Sequence, residues 1–93
     1  MTGDVILPAV LDVHAAGSLK TELLALRGRS VALDASGVER LGGLSLQVLL
    51  SAARTWAADG QDFAVAPASA AFVEQCRAFG AGALVPALAG ELA

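Results

Sequence analysis

At 93 residues the chain is the size of one domain, near the lower limit at which a core suffices unaided. With 56% hydrophobic and only 16% charged residues it is too apolar for a disordered segment. Its formal net charge of −3 offers no basic surface to neutralise phosphates, so no nucleic-acid partner is expected.

Residues 5–7, Val-Ile-Leu, form a short apolar run that Pro8 ends, and they predict a brief first strand that residues 9–13 either extend or follow. From Gly17 the pattern turns helical. Leu19, Leu23 and Leu26 recur at i, i+4 and i+7, with Lys20, Thr21 and Glu22 on the other side, and Gly28 supplies a left-handed cap. The run Val31-Ala32-Leu33 follows directly and predicts a strand buried on both faces. Ser36-Gly37 turns the chain and Gly42-Gly43 loosens it before a second helix. There Leu46, Leu49, Leu50, Ala53 and Ala57 form the apolar stripe, opposite Gln47, Ser51, Arg54 and Thr55. Asp59-Gly60 stops that helix. Residues 63–66 read as a third strand closed by Pro67, and Ser69 caps a third helix whose inward side carries Phe72, Val73, Cys76 and Phe79. Residues 81–93 read either as loop or as a short terminal helix beginning near Pro86. The alternation of strand and helix predicts an α/β fold: one domain over residues 1–93, a mixed or parallel sheet flanked by helices through right-handed crossovers. Leu23, Leu33, Leu49, Leu50, Val65, Phe72 and Cys76 are the expected core.

Little in this chain suggests catalysis. His14 is the single histidine, and its place before the first helix suits a surface or capping role. Cys76 lies between Phe72 and Phe79 on an apolar side and reads as an inert buried thiol. As the only cysteine it forms no internal disulfide, which suits a reducing, cytoplasmic setting. No His, Cys or carboxylate pair has metal-ligand spacing. Gly42-Gly43 lacks the Lys-Ser/Thr of a phosphate-binding loop, so it reads as a turn or a close backbone approach. Neither a metal nor a cofactor is expected. Met1-Thr2-Gly3-Asp4 lacks the basic start of a signal peptide. The uncharged stretch of residues 78–90, which no other stretch exceeds, contains three glycines and a proline and is shorter than the ~20 residues that span a bilayer. Direct membrane insertion is not expected.

The stretch VALDASGVERLGGLSLQVLL, residues 31–50, resembles the central signature of STAS domains, the family of anti-sigma-factor antagonists. That signature is a strand ending in Asp-x-Ser, a hydrophobic position, a loop containing Asp-Ser-Ser-Gly, and an apolar helix. Leu11-Asp12-Val13 followed by Leu19 is similar to the family's Leu-Asp lead-in to its first helix. Residues 62–67 and the helix ending in Phe79-Gly80 are similar to its last strand and helix. The likeness covers roughly residues 5–85. Two departures stand out. Only about ten residues precede the first-helix region, where the family has a fuller strand pair. In the loop, Gly42 replaces the motif's Asp, Gly43 its first Ser, Leu44 the phosphoacceptor Ser and Ser45 the closing Gly.

The resemblance implies a non-enzymatic protein-interaction module of bacterial signal transduction without the usual serine switch. Residues 40–50 resemble stand-alone STAS proteins that accompany chemotaxis proteins, which implies a signalling histidine kinase, an adaptor or an anti-sigma factor as partner. The expected contact residues are Ser36, Arg40, Leu41, Gly42, Gly43, Leu44, Ser45 and Gln47, with Ser45 as a displaced candidate phosphoacceptor. The alternative is an accessory subunit of a lipid-transport ABC system, docked on its ATPase.

Overall fold

The computed structural model describes residues 3–80. Eight elements follow one another there: β1 (Gly3–Ile6), β2 (Val10–Leu11), α1 (Val13–Ala25), β3 (Val31–Ala35), β4 (Arg40–Leu41), α2 (Gly43–Ala58), β5 (Phe63–Ala68) and α3 (Ala70–Ala78). The sheet is parallel in the order β1-β3-β5. Both steps run the same way across it, so right-handed crossovers put α1 and α2 on one face, where they pack against each other. The expected α/β architecture is present. The short β2 and β4 form a separate parallel ladder in the two crossover segments, a pairing too brief for hydrophobic periodicity to announce.

Register builds the core. Val5, Leu33 and Val65 lie side by side across the three strands, and all three are buried beneath the helices. The sheet's other face carries Asp4, Ile6, Ala32, Asp34, Ala64 and Ala66, none of them buried. The expectation that the central strand is buried on both faces is therefore corrected. Val31, Leu33 and Ala35 face the helices, while Ala32 and Asp34 stay half-exposed because both crossover helices share one side.

Helix α1 begins four residues before Gly17. Asp12 caps it, its carboxylate accepting from the Ala15 amide at 2.9 Å, so His14 lies exposed in its first turn. Gly28 takes φ +94° after the helix, as its capping reading requires. Helix α2 buries Ser45, Leu46, Leu49, Ala52 and Trp56. This stripe is turned from the expected one: Leu50 and Ala53 are half-buried at its margin, and Ala57 is exposed. Trp56 pulls the phase round. Its indole Nε1 donates to the Arg29 carbonyl at 2.7 Å, and its ring tilts against Phe63 at a centroid distance of 5.9 Å. Of the expected core, all but Leu50 are buried. Strand β5 does not stop at Pro67 but runs on to Ala68 through a register shift. Proline is tolerated there because β5 is an edge strand, and a bulge absorbs the missing amide.

Candidate interaction surface

The segment from β3 to α2 is held from three sides. Ser36 turns the chain after β3: its hydroxyl and its amide both donate to the Asp34 carboxylate, at 2.6 and 2.9 Å. These bonds hold the Asp34 carboxyl below the usual carboxylate range. The Val38 side chain then enters the core, 1% exposed. On one side, β4 pairs with β2, and Ala9 accepts from the amides of Glu39 and Arg40. On the other, Gln75 of α3 stands in for a strand. Its Oε1 accepts from the Leu41 amide at 2.7 Å, and its Nε2 donates to the Glu39 carbonyl at 3.0 Å. Gln75 thereby satisfies backbone groups that a two-residue ladder leaves open.

Gly42 then passes close over β2. Its amide donates to the Leu11 carbonyl at 2.8 Å, and a Cβ on Gly42 would sit 2.8 Å from that same oxygen. Close approach, not a positive φ, is what requires glycine here, since φ is −77°. Helix α2 starts immediately after, with no side-chain cap. Ser45 spends its hydroxyl on another helix, donating to the Asp12 carbonyl at 3.1 Å. That carbonyl also accepts from the Ala16 amide, so Asp12 ties the starts of α1 and α2 together.

Two of the exposed large apolar side chains lie at the start of α2. Leu44, in the first turn of α2, is 53% exposed, and so is Phe79 at the C-cap of α3. The Phe79 ring lies 3.8 Å from the place a Cβ would take on Gly43. Gln75 explains this position. One helical turn before Phe79, it pins α3 to β4 and so brings Phe79 over the start of α2. Phe79 had been expected on the inward side of α3. It faces out because Ser69, capping α3 through the Phe72 amide and donating to the Val38 carbonyl, sets the helix phase so that Phe72 and Cys76 enter the core.

A family model described as Mlab, STAS domain, matches residues 2–86. The chain belongs to the STAS family. STAS domains are in general non-enzymatic interaction modules of the anti-sigma-factor-antagonist type. Searches of curated proteins and of solved structures returned no match.

Measured against the contact residues expected of this STAS domain, the structure sorts them into three sets. Ser36, Arg40, Gly43, Leu44 and Gln47 are exposed, around one end of the sheet. Gly42 is half-buried against β2. Leu41 and Ser45, at 3% and 0% exposed, face inward and do not belong to the surface. The Ser45 hydroxyl, expected as a displaced phosphoacceptor, is buried and donates to the Asp12 carbonyl. The residues that sequence reasoning missed are Phe79, Gln75 and Asp12. A polar Gln75 on the Phe72–Phe79 side of α3 was the one available signal. No cluster of His, Cys, Asp and Glu suited to a metal occurs among the described residues. None of the described helices is long and apolar enough to cross a membrane.

Proposed function

We propose that this STAS domain is a non-enzymatic docking module of bacterial signal transduction. It recognises a cytoplasmic protein partner through the surface formed by Ser36, Arg40, Gly43, Leu44 and Gln47, extended by Phe79. The observation that carries the reading is the exposure of Leu44 and Phe79 where α2 begins, the Phe79 ring lying 3.8 Å from the place a Cβ would take on Gly43. Apolar anchors beside an arginine are the composition of interface hot spots. A leucine where the family's motif has its phosphoacceptor makes this contact constitutive. A phosphoserine there would bring about −1.5 to −2 charge, whereas leucine brings contact area that no kinase alters.

The partner class is a signalling histidine kinase, an adaptor or an anti-sigma factor. Affinity purification with the wild-type chain and with Leu44→Asp, followed by mass spectrometry, tests it. A kinase, adaptor or anti-sigma factor held by the wild type and lost by the variant is the expected result. A transporter ATPase captured in the same Leu44-dependent way would move the protein to the ABC-accessory role. Equal capture by both chains would remove the surface from the mechanism.

A further inference from the structure

The two edges of the three-stranded sheet are not alike. β5 is spoiled as a template for further pairing, because Pro67 lacks an amide and the register shifts beside it. β1 has no proline, lysine or bulge between Gly3 and Ile6. Gly3 and Leu7 turn their amides inward, to the Ser30 and Asp34 carbonyls at 2.8 and 2.9 Å. Backbone groups alternate along a strand, so Asp4 and Ile6 turn theirs outward, where they have no partner among the described residues. A groove opens beside this edge, between β1 and α1, lined by Val5, Leu7, Ala15, Ser18, Leu19 and Glu22. On the strand's other side Ile6 stands 81% exposed.

What this edge fits is a second copy of itself. Antiparallel pairing about a two-fold axis at Val5 sets Asp4 opposite Ile6 of the second copy, and Ile6 opposite its Asp4. Each such pair exchanges two hydrogen bonds, so every outward group of both strands is used. The neighbouring registers fail. A slip one way sets Asp4 against Asp4, like charge on like. A slip the other way draws Pro8 into the ladder, where it has no N–H to give. In the register that remains, Val5 meets Val5 and Leu7 lies beside Gly3 of the second copy, large against small, along the groove. One pair of carboxylates opposes the contact. A Cβ on Gly3 would lie 2.9 Å from the Leu26 side chain, and Val5 is about 6.6 Å further along the strand. That rise equals about four residues of α1, which runs the opposite way. Glu22 is therefore level with Val5, and the two copies bring Glu22 toward Glu22 across the axis.

We propose that two copies of this chain join β1 to β1 in this register, as one continuous sheet with α1 beside α1, weakened by the Glu22 pair. Sedimentation velocity should show a concentration-dependent dimer. Ile6→Pro removes an outward amide at a place where an edge strand accepts proline. It deletes one hydrogen bond from each copy and should weaken the dimer at least about tenfold, with circular dichroism unchanged. Glu22→Lys, at an exposed position, should pair with the wild type. An equimolar mixture should dimerise several times more tightly than either chain alone, because opposite charges meet only in the mixed pair. Should Ile6→Pro fail to fold, the mixture decides. A chain that stays monomeric up to ~1 mM, a dimer indifferent to a folded Ile6→Pro, or a mixture that pairs no better than its components would overturn the proposal. So would a dimer that Leu44→Asp dissolves, which would seat the second copy at the start of α2.

Discussion

Replacing Leu44 by aspartate separates contact from fold, because the free protein already leaves this side chain in water. Leu44 is 53% exposed, at the second helical position of α2 after the Gly42 cap. Full burial of a leucine side chain contributes about 1.5–3 kcal/mol. A partner that covers the exposed half therefore gains about 0.8–1.6 kcal/mol from Leu44 alone. Aspartate forfeits this gain and adds the cost of drying a carboxylate beside Phe79. The sum reaches at least about 1.4 kcal/mol, a tenfold loss in affinity. Stability moves the other way, if at all. An acidic side chain in the first turn interacts favourably with the helix N-terminus, by about 0.3–1 kcal/mol. Titration calorimetry against the captured partner, run beside thermal melts, should show binding at least tenfold weaker with the melting temperature unchanged or slightly raised. An unchanged affinity in a folded variant would refute the assignment of the surface. Loss of binding that tracks a lower melting temperature would refute the exposure argument itself.

Gly42→Ala should cost about 1–3 kcal/mol in denaturant melts, since its new methyl meets backbone and cannot be accommodated by a rotamer, whereas Gly43→Ala, with only the Phe79 ring at 3.8 Å, should be tolerated. Gln75→Ala should leave the Leu41 amide without its acceptor, and hydrogen exchange at that amide should quicken roughly tenfold while the core strands are unaffected. Ser45→Ala should cost about 0.5–1.5 kcal/mol, because one neutral hydrogen bond is lost and Asp12 keeps its bond from Ala16; intact-mass analysis after incubation with a cognate kinase and ATP should show no phosphate on the folded wild type. Burial pushes the Cys76 thiol up to about 11. The unfolded thiol ionises near pH ~8.5, so the stability this residue contributes is complete below that pH and falls as pH rises toward about 11, a slope that Cys76→Ala should flatten in urea melts.

The elements that sequence revealed best are those whose own side chains decide them. Leu19 and Leu23 gave α1 its buried face, and Ser69 gave α3 its start, because periodicity and capping are local. The start of α1 was legible from the Leu-Asp motif and hidden from periodicity. Val13 and His14 are exposed, Ala15 and Ala16 small, and Gly17 and Ser18 exposed, so the helix has six residues before its first large buried side chain, Leu19. The phase of α2 was misjudged because Leu50 and Trp56 compete for the same interior. The indole wins by reaching the Arg29 carbonyl, a partner 27 residues away. The surface was half legible for the same reason. Leu44 could be singled out from the motif it breaks, but Phe79 is brought there by Gln75, whose partners Glu39 and Leu41 are more than thirty residues away.

The adjacency of Leu44 and Ser45 joins the two halves of this argument. Successive helical residues are about 100° apart around the axis, which is why one side chain points to solvent while the next donates to Asp12. Bringing the Ser45 hydroxyl outward by turning α2 would carry Leu46 and Leu49, now 3% and 0% exposed, out of the core with it. The loss of two such leucines from a packed interior costs several kcal/mol, of the order of a small domain's whole stability. A local opening of the first turn is the cheaper route, and it would break the Asp12 bond and the Leu46–Gly42 backbone bond that begins the helix. Either way, a phosphate on Ser45 would have to dismantle the start of α2 before it could signal. The large apolar side chain exposed at this turn is Leu44, and it is this side chain that the proposed docking surface offers to a partner.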